Sequence, residues 1–125
     1  MKTGLFWLLL ACGVNAHAGG LPAETDREIQ HLFTVLEHSD CRFQRNGTWY
    51  TPQEASAHLH RKYEYLRNKQ RITDAESFIT LGASSSSMSG KAYQVQCGDR
   101  PAVSSRSWFL QILAIDRQKR GGAGR

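Results

Sequence analysis

Residues 41–63 read CRFQRNGTWYTPQEASAHLHRKY, and the first part of this stretch predicts a β-hairpin. Asn46-Gly47 lies between two runs rich in residues that favour strands. A type I′ turn needs positive φ at both central residues, and Asn-Gly is the dipeptide that adopts it most readily. We therefore expect two antiparallel strands within residues 41–50.

The second part of the stretch predicts a helix that begins at Pro52. The side chain of Thr51 can accept a hydrogen bond from the amide of Glu54, and Glu54 can reach back to the amide of Thr51. Proline suits the first position of a helix, where its missing N–H costs nothing. The helix should run to about Asn68.

This helix carries two polar residues on or beside its apolar face. At about 100° per residue, the apolar face consists of Ala55, Leu59, Tyr63 and Leu66. Lys62 falls in the middle of that face and His58 at its border. Lys62 either extends past its neighbours so that its ammonium reaches water, or meets a carboxylate or bound anion. For a carboxylate we expect Glu76 first and Asp40 second.

Residues 1–18 have the pattern of an export signal. Lys2 precedes an apolar run over 5–14, and Ala16-His17-Ala18 forms a small-x-small cleavage site. The apolar run is too short to span a bilayer. We expect an exported, periplasmic protein that is not an integral membrane protein. The alternative is a lipoprotein anchored through Cys12, which follows a lipobox-like Leu-Leu-Ala.

Two cysteines would remain after cleavage, Cys41 and Cys97. In an oxidising compartment, a single pair of this kind predicts a structural disulfide. The bridge would close a loop of about 57 residues and contribute about 4 kcal/mol in the chain-entropy estimate.

The net charge of +5 belongs to the two ends of the chain. Lys2 and the four basic residues of 117–125 account for the excess, so the intervening part has equal numbers of acidic and basic residues. Without a basic stripe in the body, we expect no nucleic-acid partner. The predicted organisation is one domain over 19–116 and a basic, flexible tail over 117–125.

Three more helices follow from local patterns. Thr25 with Glu28, and Thr73 with Glu76, repeat the spacing of a capping box, which places helix starts at 25 and 73. The first of these helices should run from about residue 26 to residue 37. A strongly apolar run beginning near residue 105 predicts the fourth helix.

Residues 91–97 alternate between two faces, as a half-buried strand does. If this strand pairs with the first strand of the hairpin, Cys97 can reach Cys41. The predicted fold is therefore α+β, with about four helices packed around a three-stranded antiparallel sheet formed by the hairpin 41–50 and the strand 91–97.

The serine-rich segment 83–90, ASSSSMSG, is either a flexible loop or a loop that binds a ligand. Its glycines and Lys91 do not have the spacing of a phosphate-binding loop. Its hydroxyl groups suit an anion or a sugar. The residues expected to line a binding site are Arg45, Asn46, His58, Lys62, Ser84, Ser87 and Ser89.

The function that these residues favour is non-enzymatic binding of an envelope component, an anionic or polar ligand, by a monomer. One alternative is a small hydrolase that uses the serine run with His58 and Glu54 or Glu76. Another is an inhibitor or partner of a second envelope protein. No cofactor or metal site is predicted, because the acidic residues and histidines lack a known ligand spacing.

Four ordered motifs resemble one family of small exported bacterial proteins of unknown function. They are RNG at 45–47, EASAHLHRKY at 54–63, DAESFI at 74–79 and ASSSSMSGKAYQVQC at 83–97. The resemblance covers roughly residues 24–116. It implies a periplasmic protein and implies no particular activity, cofactor or catalytic residue.

Overall fold

The computed structural model describes residues 20–123. The predicted export signal, its cleavage site and Cys12 lie outside these residues. The described part contains these elements in chain order: α1 (Ala23–Glu37), β1 (Cys41–Arg45), β2 (Thr48–Tyr50), α2 (Pro52–Asn68), α3 (Ala75–Gly82), β3 (Gln94–Cys97), β4 (Val103–Ser104) and α4 (Ser105–Ala123).

The predicted hairpin is present as β1 and β2. Asn46 and Gly47 have φ values of 51° and 82°, and Arg45 pairs with Thr48 across the turn. Positive φ at both central residues is the condition that the Asn-Gly dipeptide satisfies in a type I′ turn. The hairpin prediction is confirmed.

The sheet has four antiparallel strands in the order β2-β1-β3-β4. The α+β class is confirmed, but the predicted count of three strands is wrong, because Val103–Ser104 adds a strand beside β3. A strand of two residues is too short to show an alternating pattern in sequence.

The predicted third strand begins later than expected. β3 starts at Gln94, and before it Ala92 forms only an isolated bridge with Ser85. The amide of Tyr93 donates to the carbonyl of Ser84 at 2.9 Å. Residues 91–93 therefore tie the serine-rich loop to the sheet instead of extending the strand.

The predicted disulfide is confirmed. Cys41 on β1 lies directly opposite Cys97 on β3, with their Cα atoms 3.9 Å apart, and their sulfur atoms are bonded. The bridge joins the two central strands of the sheet and so fixes the register between them.

The prediction for α2 is also confirmed, with both ends at the expected residues. The amide of Glu54 donates to the Thr51 hydroxyl at 3.1 Å, and the amide of Thr51 donates to the Glu54 carboxylate at 2.9 Å. These reciprocal bonds satisfy two N–H groups that would otherwise lack partners at the helix start.

The capping boxes predicted at residues 25 and 73 are wrong. α1 begins at Ala23 after Pro22, and Thr25 is buried within its first turn. α3 begins one residue later than Thr73 and Glu76 would place it, because Asp74 accepts from the amide of Ser77 at 2.8 Å.

The core lies between the sheet and the four helices. Its most deeply buried large side chains are Phe78, Phe109, Ile29, Leu32, Leu36 and Ile79. α4 packs against α1, α3 and β3. One face of α2 is directed toward the serine-rich loop and Tyr93.

α4 continues to Ala123, so residues 117–123 of the predicted tail are helical. Arg117 is bound to Glu28 on α1 and to Glu76 on α3. Within residues 20–123, no helix combines the length and the apolar character that crossing a lipid bilayer requires.

Candidate functional site

Lys62 on α2 extends toward the serine-rich loop and Tyr93. Its ammonium donates to the carbonyl of Ser85 at 2.9 Å and to the phenol of Tyr93 at 3.2 Å. The ammonium nitrogen also lies 5.0 Å from the centre of the Tyr93 ring. At this distance the electron-rich ring face adds electrostatic stabilisation. Lys62 is therefore half-buried and held by uncharged groups.

The predicted carboxylate partners of Lys62 are wrong. Glu76 is bound by Arg117, with distances of 2.6 and 3.0 Å to its two oxygens. Asp40 lies beside Cys41, at the far end of β1. The sequence placed Lys62 correctly on the apolar face, but it could not show that a backbone carbonyl would be its nearest partner.

His58 completes a directional chain of hydrogen bonds. Its Nε2 lies 3.1 Å from the phenol oxygen of Tyr93. Because an ammonium can only donate, Tyr93 accepts from Lys62, and its own hydrogen is free to be donated to His58. The chain Lys62 to Tyr93 to His58 then satisfies all three groups when Nε2 is unprotonated, which leaves His58 neutral with its hydrogen on Nδ1.

The pKa shifts in this cluster agree with a neutral His58 that accepts a hydrogen bond from Tyr93. Burial, followed by the charges of Arg45, Lys62 and Arg61, lowers the pKa of His58 to about 4. Burial and then the charge of Arg45 also lower the pKa of Lys62. Both shifts come from desolvation reinforced by like charges, so the cluster is short of negative charge.

Arg45 stands at the end of β1, beside this chain. Its guanidinium lies 4.8 Å from the centre of the Tyr50 ring. Between Arg45 and His58 there is a pocket of about 30 Å³, whose walls include Phe43, Leu59 and Tyr93. Glu54 also reaches this pocket, but its carboxylate is used in the cap of α2. We call Arg45, His58, Lys62 and Tyr93 the cationic cluster.

No carboxylate of residues 20–123 forms an ion pair with the cluster. In the part of the chain that the structure describes, the ion pairs involve arginines and histidines of α1, α2 and α4, and none includes Arg45 or Lys62. Two cations that are partly removed from water without an anion are unusual, since burying an unpaired charge is costly.

The serine-rich loop is anchored to the hairpin turn. Asn46 donates from its amide to the Ser86 hydroxyl at 3.3 Å and accepts from the Ser89 hydroxyl at 2.5 Å. The buried Ser86 hydroxyl also accepts from the amides of Met88 and Ser89. These bonds shape the loop around the turn.

The seven predicted site residues therefore fall into three groups. Arg45, His58 and Lys62 meet at the cationic cluster. Asn46 and Ser89 bond to each other at the loop. Ser84 donates to the carbonyl of Ile79 at the end of α3, and Ser87 is exposed.

Sequence reasoning missed Tyr93 as a member of the cluster. The alternating pattern placed it with Val95 and Cys97 on one face of a strand; it is buried, but it lies just before β3 begins. The overlooked signal was its phenol, because a buried tyrosine hydroxyl usually finds a hydrogen-bond partner. A neighbouring half-buried lysine and histidine are suitable partners.

A second concavity lies on the other side of His58. This space of about 490 Å³, which we call the α2 groove, is lined by His58, Arg61, Lys62, Tyr65, Leu66, Arg71, Leu81 and Ser87. α2 forms one wall, and the end of α3 with the serine-rich loop forms the other. The described residues that line it include no carboxylate.

Two other chemistries receive no geometric support from the described residues. His58 bonds to Tyr93, and within residues 20–123 no serine hydroxyl bonds to it, so a hydrolytic Ser–His pair is not formed. Asp40, Cys41 and Cys97 are close enough to surround a metal ion. Both sulfur atoms are joined in the disulfide, so neither is a thiolate that could bind a metal.

Comparison with known proteins agrees with the resemblance carried by the motifs. An 80-residue region is 41% identical to a Salmonella typhimurium (strain LT2) protein described as "Uncharacterized protein YfeK". The match covers 64% of this chain and 60% of that protein. No solved structure matches the chain. The model of a family of unknown function, DUF5329, matches residues 23–117. The chain therefore belongs to the DUF5329 family.

Proposed function

We propose that this protein binds an anionic group of an envelope component in the periplasm, without catalysis, at the cationic cluster. The observation that carries this proposal is the half-buried ammonium of Lys62, whose hydrogen-bond partners among residues 20–123 are all uncharged. A carbonyl and a phenol compensate for lost water only in part, whereas an anion would compensate fully.

The donors around the cluster suit such a group. Lys62 has three N–H donors and uses two of them on Ser85 and Tyr93. Arg45 adds a planar fork of donors, which suits a carboxylate or a phosphate. His58 contributes the N–H on Nδ1 in its neutral form. Burial and then the like charges lower the pKa values of Lys62 and His58, and an anion placed among these groups would offset both effects.

The proposed location rests on two features. The disulfide between Cys41 and Cys97 is compatible with an oxidising compartment, and residues 1–18 have the pattern of a cleavable export signal. Mass spectrometry of the protein from its own host should find Gly19 at the mature N-terminus. Finding Cys12 as a diacylated N-terminus would replace this proposal with a lipid anchor.

Binding can be tested with inorganic phosphate and citrate as probe anions. In ¹⁵N-labelled protein, the amide resonances of residues 45, 58, 62 and 93 should shift together and saturate. Lys62→Met should abolish the shifts, whereas Lys69→Met, a matched loss of one exposed lysine near the end of α2, should leave them intact. Resonances that stay in place for both anions would overturn the proposal.

A native mass spectrum of protein purified from its own periplasm would then identify the ligand. A bound mass that disappears in Lys62→Met and persists in Lys69→Met would be the component held by the cationic cluster.

A further inference from the structure

The α2 groove has a strong excess of positive charge. Arg61, Lys62 and Arg71 line it, and among the described residues none of the three forms an ion pair. The nearby acidic residue Glu64 lies on a different side of α2, where it lines a separate concavity with Arg67. The groove is therefore complementary to a ligand that carries several negative charges.

The same groove is also partly apolar. Leu66 forms part of its floor, and Leu81 and Tyr65 are 38% and 60% exposed at its walls. Met88, which follows the lining residue Ser87 in sequence, is 97% exposed. These three are among the five large hydrophobic side chains that the described surface exposes. Exposed apolar groups gathered within a polar rim are typical of an interaction site.

Shape and composition narrow the class of ligand. From His58 to Tyr65 the wall formed by α2 extends about 10 Å, at about 1.5 Å per residue. An extended peptide of about three residues has this length, at about 3.3 Å per residue. A concave groove fits a chain better than it fits the flat surface of a bilayer. Its leucine and tyrosine side chains favour a ligand with apolar groups between its charges, which a uniformly polar glycan lacks.

We infer that the α2 groove binds an acidic peptide segment of a partner protein, in which carboxylates alternate with apolar side chains. The carboxylates contact Arg61 and Arg71, whose guanidinium groups can each donate two parallel hydrogen bonds. The apolar side chains contact Tyr65 and Leu81. This inference goes beyond the proposed anion site and does not depend on it, because Arg61 and Arg71 lie outside the cationic cluster.

The test uses a fluorescent peptide with alternating residues, Glu-Leu-Glu-Tyr-Glu-Leu, and its analogue with glutamine in place of glutamate. The acidic peptide should bind the full chain about tenfold more tightly than the analogue. Binding should weaken as ionic strength rises, because these charges are exposed to solvent and screened by salt. Fluorescence anisotropy gives both dissociation constants.

The variant that removes the contacts is R61Q/R71Q, and its matched control is R67Q/R106Q. All four arginines are exposed, so both double variants lose the same charge and should retain the wild-type circular dichroism spectrum. We expect R61Q/R71Q to weaken peptide binding about tenfold, and the control to bind as the wild type does. Both variants should keep the phosphate-induced shifts at residues 45 and 93.

Three results would overturn the inference. The acidic peptide and its analogue could bind equally, or the two double variants could bind the peptide equally. Alternatively, the protein could bind phosphatidylglycerol vesicles through Arg61 and Arg71 and fail to bind the peptide. The α2 groove would then be a site that contacts a membrane. None of these outcomes would alter the test of the cationic cluster at Arg45 and Tyr93, which do not line the α2 groove.

Discussion

Arg117 on α4 and Glu28 on α1 form a two-point ion pair, although 89 positions separate them in sequence. The distances from Nε and Nη2 to the two carboxylate oxygens are 2.7 and 2.9 Å, and the Glu28 side chain is only 8% exposed. The same guanidinium also binds both oxygens of Glu76 on α3. Arg117 thus joins three helices, because its guanidinium has enough N–H donors to bind two carboxylates, each through both oxygens.

Replacing Arg117 with methionine should destabilise the protein, because Glu28 would stay buried without its partner. We expect Arg117→Met to lower the free energy of unfolding by about 2 kcal/mol. This is less than the full cost of leaving a buried charge without its partner, because the guanidinium is partly exposed to solvent. The matched control is Arg120→Met, because the half-exposed guanidinium of Arg120 lies 3.7 Å from Asp116, beyond hydrogen-bond distance. Chemical denaturation measures the free energy of unfolding of both variants, and equal values would contradict the role of Arg117 in joining the three helices.

The buried neutral state of His58 should make stability depend on pH. Its folded pKa is lowered to about 4, whereas an unfolded histidine titrates near about 6.5. The unfolded chain therefore binds more protons between these values, so His58 contributes stability that is present above about pH 6.5 and is lost as the pH falls toward 4.

As the pH falls from about 6.5 toward 4, the free energy of unfolding of the wild type should decrease by about 1 kcal/mol more than that of His58→Gln. This value is smaller than the full pKa shift would give, because the His58 ring is partly exposed to solvent. Effects of Glu76 and Asp116, whose pKa values are lowered by bonds to Arg117 and Arg27, are common to both proteins and cancel. Denaturation curves at pH 7 and pH 4.5 give the difference. Identical pH profiles, or an NMR titration of the His58 ring near 6.5, would exclude a buried neutral ring.

Replacing Lys62 with methionine should separate stability from binding. The variant loses hydrogen bonds to two uncharged acceptors, but it also removes the cost of holding an ammonium away from water. The two effects oppose each other, so we expect a change in the free energy of unfolding within about 1 kcal/mol. Anion binding should be lost. A large destabilisation together with retained binding would show that Lys62 has a purely structural role.

The disulfide should protect both thiols until the protein is reduced and unfolded. After removal of residues 1–18, the native protein should react with no thiol reagent, and reductant together with denaturant should release two thiols. Replacing Cys41 and Cys97 with serine should lower the free energy of unfolding by about 4 kcal/mol if native geometry is kept. Two reactive thiols in freshly isolated, oxidised protein would contradict the prediction.

Local signals predicted the hairpin and α2 correctly. The Asn46-Gly47 turn and the Thr51–Glu54 capping box each lie within a few residues, so local preferences alone favour them. The starts of α1 and α3 were predicted less well. Glu28 and Glu76 have the spacing of capping residues, but both bind Arg117, which is 89 and 41 positions away in sequence. Long-range pairing of this kind overrides a local pattern.

For the candidate site, the sequence singles out polar residues that do not fit an ordinary apolar face. Lys62 and His58 stand out by helical periodicity. Their common partner Tyr93 was hidden, because it satisfies the alternating pattern of a buried strand residue. The carbonyl of Ser85, the nearest acceptor for Lys62, is a backbone group and has no sequence signature at all.

The bond between Cys41 and Cys97 makes the intervening chain a covalent ring, and all four residues of the cationic cluster belong to that ring. The exposed turn around Met88 is a natural point of attack for a protease. One cut there would give two fragments that stay tethered, so the nicked protein would migrate as one band without reductant and as two bands with it. In an environment rich in proteases, the cluster could therefore survive cleavage of the very loop that contacts it.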